Sequence, residues 1–470
     1  SQNGAAGKMV EYRHMTVNGA VNYAYDDRYV ATFSFAADGS DNYRPGNRWG
    51  FYPSLGLGWI VSRERFLRDS RMVDLLKLRA SVGKNGWDPM GEMRYLWEGY
   101  YTGRGGLNTG NSEHTWHGGT ALSYLPNPDV FAEKSLKYDA GIDLRLWNRL
   151  SLNVDLFLEK RSGIVTQDWM IPGASGVDNP PYRNIGRMTN KGFEVQLSWA
   201  DRIGDFNYAL TGMASYNSNK VDYMAEVVTV PTAARTGRRL DALFGYVADG
   251  FYDWDDFDVG GELREGLPKP TFGAVQPGDI KYKNLNGDTV IDENDQTAIG
   301  DSYLPKLQYS FSLAASYKGF DLFALFQGAA GRDVNLLDAP LQNVAFRDNG
   351  NVYGIAEGRW AYYPEQGIDT RATATYPRLT TQSNENNYQL SSFWVKSRNF
   401  MRVRNIEVGY NFRHHAKFRA AGISNFRIYL NVTNPFTVSK LMSDYDLDPE
   451  LLSYRYPVLK SYNIGVSLTF

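Results

Sequence analysis

Apolar and polar residues alternate along most of this chain with a period of two. Val17, Gly19, Val21, Tyr23 and Tyr25 are separated by Asn18, Ala20, Asn22 and Ala24, the pattern of an extended strand with one greasy face. After Asp26-Asp27 the period resumes as Tyr29, Ala31, Phe33 and Phe35, so the two runs predict a hairpin. Further runs predict strands near 51–59, 76–82, 136–144, 150–158, 193–199, 208–216, 307–317, 320–326, 401–412, 426–432 and 462–470, about 13 strands in all. A phase slip between Val403 and Ile406 predicts a β-bulge near Asn405.

The face opposite the apolar one is strongly polar. It reads Lys137, Asp139, Gly141, Asp143, Arg145 in one strand and Ser151, Asn153, Asp155, Glu159 in the next. A dry core does not tolerate so many charges, so water has to wet that side. The connections alternate in length: short at 26–28, 61–74, 147–149, 201–205, 318–319 and 413–424, long at about 37–49, 83–134, 161–189, 218–304, 329–391 and 435–459. Short periplasmic turns and long external loops are the asymmetry of an outer-membrane β-barrel. Tyr25, Tyr29, Trp59, Trp147, Trp199, Phe206, Tyr317, Phe320, Tyr410, Phe412, Phe426 and Phe470 fall at or beside the short-turn ends. Interfacial levels of a bilayer favour such rings. The competing reading is a soluble sandwich whose aromatics cap its ends.

Composition changes this picture little. The mean hydropathy of −0.44 looks soluble, and no stretch approaches the roughly 18 consecutive apolar residues of a membrane helix. A spanning barrel keeps a modest average because its faces alternate. Aromatic residues make up 14%, and the net charge of −2 predicts no nucleic-acid partner. With no cysteine, thiolate metal sites, disulfides and cysteine nucleophiles are excluded. Residues 1–7 show neither a basic nor an apolar leader region, so an exported protein is expected to have a further part in front.

Thirteen crossings put residue 1 outside and Phe470 in the periplasm. Single-chain bacterial barrels have even strand numbers, and unpaired strand edges in hydrocarbon are costly. The expectation is therefore that residues 1–470 form the C-terminal part of one barrel domain, without separate domains. An N-terminal half would close it, preceding Ser1 across either a nick or a disordered loop.

The residues Asp38-Gly39-Ser40, Asn47-Arg48-Trp49-Gly50-Phe51-Tyr52-Pro53-Ser54, Leu76-Lys77-Leu78-Arg79-Ala80-Ser81-Val82-Gly83, Asn127-Pro128-Asp129, Asn184-Ile185-Gly186, Asn190-Lys191-Gly192-Phe193-Glu194, Gly245-Tyr246-Val247-Ala248-Asp249-Gly250 and Gly278-Asp279-Ile280-Lys281-Tyr282 resemble the SusC/RagA-like TonB-dependent transporters of the outer membrane. The resemblance covers nearly the whole chain. It implies an all-β transmembrane antiparallel barrel of 22 strands, with an N-terminal plug and TonB box that these residues do not include. It also implies energy from TonB with ExbB and ExbD, and a SusD-like surface lipoprotein as a lid. The final strand, ending on Phe470, looks like the signal read by the barrel-assembly machinery.

Candidate sites lie in the long loops. Asn284, Asn286, Asp288, Asp292 and Asp295 place oxygens at positions 1, 3, 5, 9 and 12, resembling the Ca2+ loop of EF-hand type. Asn284 stands for the usual Asp and Thr289 for the usual Gly. A structural Ca2+ and a hydrogen-bonded Asx turn are the two readings. Trp87, Trp97, Trp116, Trp169, Trp254 and Trp360 are candidate substrate contacts, because aromatic faces stack on sugar rings or on apolar peptide side chains, although loop packing and lid contacts are the plainer roles. His114 with His117 has a His-x-x-His spacing without a third ligand, and His414-His415 and Asp255-Asp256 carry no specific chemistry.

A polar lumen suits a large hydrated solute, and no Gly-x-x-x-x-Gly-Lys-Ser/Thr loop is present to supply energy locally. The leading expectation is TonB-driven import of an oligosaccharide, with oligopeptide import as the alternative. A non-transporting receptor or adhesin is the competitor from another class. No enzyme is expected, since no Ser/His/Asp constellation falls at the strand ends.

Overall fold

The computed structural model describes residues 11–470 apart from 89–93, 100, 110–114, 123, 173–178, 339–343, 348–349, 413–421, 452–455 and 457. Its main feature is one antiparallel sheet of 13 strands, each paired with its neighbour in chain order once the loops are passed over. The strands are β1 His14–Tyr25, β2 Tyr29–Ser40, β3 Trp49–Ile60, β4 Val73–Trp87, β5 Glu133–Leu146, β6 Leu150–Gln167 and β7 Tyr182–Ile203. They continue as β8 Phe206–Tyr223, β9 Leu307–Tyr317, β10 Phe320–Ala330, β11 Phe400–Asn411, β12 Asn425–Val438 and β13 Ser461–Thr469. Every strand expected from the alternation is present. Among the described residues, β1 and β13 are the edges of the sheet.

Turn chemistry closes the hairpins on one side. Asp26-Asp27, Trp147-Asn148 and Lys318-Gly319 all adopt positive φ, the left-handed pair whose twist matches that of the flanking strands. Asp and Asn tolerate this backbone because their short side chains bond locally. Trp147 at φ 52° and Lys318 at φ 47° are the exceptions, and the Trp147 ring packs edge-on to Trp199 at 6.4 Å. The expected bulge is found at Arg404. Val403 pairs with Phe326 and Asn405 with Leu325, leaving Arg404 as the extra residue.

One face of the sheet is apolar and uncovered. Val21, Leu57, Leu156 and Ile464 are 65%, 54%, 57% and 81% exposed, far beyond what a water-soluble surface sustains as a continuous patch. Rings gather at the short-turn end of this face: Tyr25 on Tyr29, Phe206 on Tyr208, Phe320 on Tyr410, and Phe412 on Phe426. Trp199 donates its indole N–H to the Tyr208 hydroxyl at 3.2 Å. An apolar band bounded by amphipathic rings is the outer surface of a membrane barrel.

The strands β6, β7 and β8 are longer than their alternating stretches predicted, at 18, 22 and 18 residues. A crossing strand needs about 9–11 residues, so much of each stands beyond the bilayer as an antiparallel ribbon. In 182–192 both faces carry polar residues, such as Arg183, Asn184, Arg187 and Lys191. No lipid face is required there, and the period-two signal disappears.

The hydrophobic core proper is elsewhere. The loops 224–306, 331–399 and 439–460 pack around Ile280, Ile291, Val334, Leu336, Trp394 and Leu441, all fully buried. The expected loops are thus a compact crown with short two-stranded ribbons of its own, such as Asp333–Asn335 with Val395–Ser397.

Candidate functional site

The site is built in three tiers, from the short-turn rim through the polar wall to the crown. At the rim, Glu64 accepts from the Arg28 guanidinium at 2.8 Å, the Tyr29 hydroxyl at 2.6 Å and the Trp59 indole at 3.1 Å. These partners, the Tyr29 hydrogen bond foremost, hold its carboxyl below the usual range. Three separate elements are thereby tied at one carboxylate.

The wall is the polar face of the strands. Its first cluster centres on Arg79 of β4, whose Nη2 reaches Asp155 Oδ2 at 2.6 Å and whose Nε reaches Asp143 Oδ2 at 3.3 Å, with Asp139 at 3.7 Å. The alternation places all four on the same face, in register across β4, β5 and β6. Gly141 provides room: a Cβ there would stand 2.6 Å from the Arg79 guanidinium carbon. A second cluster joins Arg427 of β12 to Asp321 and to Glu407 Oε1 at 2.6 Å, while Asn431 donates to Glu407 Oε2 at 3.0 Å. Between them lies a polar groove of about 380 Å³ lined by the amides and hydroxyls of Asn153, Gln196, Ser215, Gln308, Ser310 and Gln327 together with the carboxylates of Asp155 and Glu194. Amides and hydroxyls of this kind both donate and accept hydrogen bonds, and the two carboxylates add acceptors.

The crown is held by Asp279. Its fully buried carboxylate accepts from Arg378 Nε at 2.7 Å, Asn384 Nδ2 at 2.7 Å, Asn387 Nδ2 at 3.1 Å and the Gln276 amide at 2.8 Å. A buried charge is tolerated only when paired and saturated with donors, and this one is. Asn387 also accepts the Ile280 amide, and its carbonyl takes the Trp394 indole N–H at 2.8 Å. Burial pushes the Tyr376 phenol up to about 12, and its oxygen accepts the Ala345 amide at 2.7 Å.

A separate latch ties the last loop to the wall. Arg402, 1% exposed, reaches Asp448 and Glu450 at 2.5 Å each, and Arg404 also bonds Glu450. Arg332 and Arg398 both donate to the Pro449 carbonyl, at 2.8 and 2.6 Å. At the opposite end of the sheet, Asp88 receives Ser40 at 2.5 Å, Asn42 at 2.9 Å and Tyr43 at 2.8 Å. Asn184 braces the Gly163 bulge by donating to the Gly163 and Phe131 carbonyls at 2.7 and 2.8 Å.

The expected substrate tryptophans do not converge on one place. Trp87 tops β4 on the polar face and is exposed, and Trp169 and Trp254 are exposed in loops. Trp97 is partly buried, with an indole N–H that has no hydrogen-bond partner among the described residues. Trp360 is a correction to the sequence expectation: it is 7% exposed and packs against Gly278, where a Cβ would meet its ring at 2.6 Å, so it serves the crown's interior. Trp116 lies in the ribbon strand Thr115–Leu122, opposite Asn108, with its side chain outside the described residues. His117 is exposed on the same ribbon, while His114, His414 and His415 lie outside the described residues. Asp256 caps a 3-10 turn with Asp253 and pairs with Lys281 at 3.0 Å, so Asp255-Asp256 belongs to loop architecture.

In the segment 284–295, each side-chain oxygen of the expected ligand set meets a donor from the turn itself. Asn284 Oδ1 accepts Gly287 N, Asn286 Oδ1 accepts Asp288 N, and Asp288 Oδ1 accepts Val290 N. Asp292 accepts Asn294 N at 2.8 Å, and the fully buried Asp295 accepts Leu285 N and Asp292 N at 2.7 and 3.0 Å. Among the described residues no group of three His, Cys, Asp or Glu is arranged to hold a metal.

Arg79, Asp279, Glu64 and Arg402 were not singled out from the sequence. The wall cluster was nonetheless visible as same-face charges in adjacent strands, and Asp279 stood inside a quoted motif whose role was not read.

Comparison with known proteins agrees with this architecture. The family described as TonB dependent receptor-like, beta-barrel, matches residues 10–434. TonB-dependent receptor P26 of Formosa agariphila is 29% identical over 96% of this chain and 46% of its own length. TonB-dependent receptor SusC of Bacteroides thetaiotaomicron is 26% identical over 96% and 43%. The chain thus spans about half the length of the curated relatives it matches. The fold of the RagAB peptide importer in its closed-closed state superimposes with a TM-score of 0.69 at 22% identity, over 98% of this chain and 48% of that one. With an apolar outer band, a charged inner wall and a loop crown on one sheet, the chain belongs to the TonB-dependent receptor-like β-barrel family of the outer membrane, similar in sequence to SusC and in fold to the RagAB peptide importer.

Proposed function

We propose that the complete protein imports a large hydrated nutrient across the outer membrane, an oligosaccharide, with energy delivered from the inner membrane through TonB, ExbB and ExbD. The observation carrying this reading is the inner wall itself. Its two ion-paired clusters flank a groove rich in amides and hydroxyls that also holds Asp155 and Glu194, a lining that offers many exchangeable hydrogen-bond partners to a sugar chain. An N-terminal half supplies the plug and the remaining strands of a 22-stranded barrel. A SusD-like lipoprotein closes over the crown, where exposed Trp169, Trp254 and Leu240 offer apolar contact.

A second reading is import of oligopeptides, favoured by the likeness in fold to the RagAB peptide importer. Uptake of labelled oligosaccharides and of labelled oligopeptides by cells expressing the full-length protein separates the two. Deleting the TonB box of that protein separates transport from mere reception: uptake is lost and surface binding persists. Binding without any TonB-dependent uptake sinks the import reading in favour of a receptor or adhesin.

A further inference from the structure

Lys396 sits in the crown ribbon Val395–Ser397, directly opposite Val334. Residues paired in this way share a face, and Val334 is fully buried, so Lys396 starts from a position that packing would give to an apolar side chain. Its ammonium lies 5.2 Å from the centre of the Phe393 ring. Among the described residues no hydrogen bond or ion pair engages it. Asp444 acts on it only from beyond ion-pair distance, and burial lowers its pKa.

Lys396 lines a pocket of about 340 Å³ together with Gly354, Gly358, Thr375, Phe393, Asp444 and Tyr445. This is the size of a small-ligand site. Two walls are partly buried aromatic rings, and Gly354 has nothing within 4 Å of where a side chain would begin. Thr375 and Asp444 also line the pocket and offer oxygens to the hydroxyls of a ligand held there. A cation withdrawn from water without a partner is costly unless something supplies the opposite charge.

We propose that this pocket binds a carboxylate-bearing sugar residue of the imported glycan, with Lys396 pairing the carboxylate and Phe393 and Tyr445 flanking the ring. The assignment rests on the import of a glycan proposed above and narrows its substrate to an acidic one.

The test uses the full-length protein purified in detergent, with glucuronate, glucose and a dipeptide bearing a free C-terminal carboxylate as probes in ligand-observed NMR titrations. A charge-assisted pair predicts glucuronate binding about tenfold or more tighter than glucose. Lys396→Met abolishes that preference. Lys396→Arg, which keeps the positive charge, retains it, and heat-modifiable gel mobility of both variants guards against a general folding defect. Equal binding of the two sugars, or a preference that survives in Lys396→Met, overturns the proposal. A dipeptide that competes as strongly as glucuronate overturns the sugar assignment. Glycan uptake by cells is read in parallel: wild-type uptake without a glucuronate preference refutes this pocket alone, whereas absence of any glycan uptake refutes the import reading.

Discussion

Asp279 and Arg378 stand 99 positions apart in the chain, yet the guanidinium Nε donates to the carboxylate over 2.7 Å, with Asp279 fully buried. This contact joins the loop 224–306 to the loop 331–399. Removing one partner of a buried pair typically costs about 3–5 kcal/mol, because the other charge is left stranded. Asp279→Ala is therefore expected to loosen the crown and leave the sheet intact. Hydrogen exchange measures it: amides at 276–282 and 384–394 lose protection while β9 and β10 keep theirs. Unchanged protection at 384–394 refutes the coupling.

The two faces of β6 predict opposite tolerances. Leu156 is 57% exposed on the apolar face, and Asn153 lines the polar groove. An arginine on the lipid face near mid-span costs about 2–4 kcal/mol. Leu156→Arg is expected to lower stability in urea unfolding from lipid vesicles by that amount, and Asn153→Arg by much less. Equal losses would contradict the assignment of lipid to the Leu156 side.

Glu64 gives the rim a pH dependence whose sign follows from its partners. Its folded pKa lies below the ordinary carboxylate value, so its contribution is complete above that ordinary value and is lost as pH falls through the lowered one. Trp59 fluorescence reports the step, since its indole N–H bonds Glu64. The wild-type transition is expected in acid below the ordinary glutamate range, and Glu64→Gln is expected to abolish it. A transition unaltered in that variant means another group is responsible.

Arg402 fastens the last loop through Asp448 and Glu450. Arg402→Met leaves Asp448 without its ion pair while Glu450 keeps Arg404, and the expected loss is about 3 kcal/mol of local stability. The readout is faster proteolytic cleavage within 439–460. If cleavage is unaltered, the latch is not what holds that loop.

The turn at 284–295 is complete in its own hydrogen bonds. Calorimetric titration with Ca2+ is expected to show no stoichiometric heat, and chelator is expected to leave the exchange rates of Leu285 and Asp292 amides unchanged. One equivalent of tight binding would restore the metal reading of the ligand spacing.

How much of this was legible beforehand depended on which residues met lipid. Where Val17 to Tyr25 or Leu150 to Leu158 line hydrocarbon, every second position has to be apolar, and strand, face and turn follow from the pattern. The bulge at Arg404 was visible for the same reason, since an added residue shifts the phase. Beyond the bilayer that constraint lapses. Residues 182–192 form strand without alternating, and the crown's core draws Ile280, Val334, Trp394 and Leu441 from segments spread over about 160 positions. Trp360 illustrates the limit: a loop tryptophan reads equally as a stacking platform or as filling, and only its seat against Gly278 decides.

The left-handed turns at Asp26-Asp27, Trp147-Asn148 and Lys318-Gly319 all close on the same side of the sheet. Each closes within its own hairpin and is braced by adjoining short turns and strands, as Trp147 is by the Met72 carbonyl and Asn148 by Asp74, so a hairpin can form before its long outer connection has found any partner. Insertion can then proceed two strands at a time, with the crown assembling afterwards in water on a scaffold already in place. Drift in the outer connections therefore leaves the turns that close these hairpins untouched.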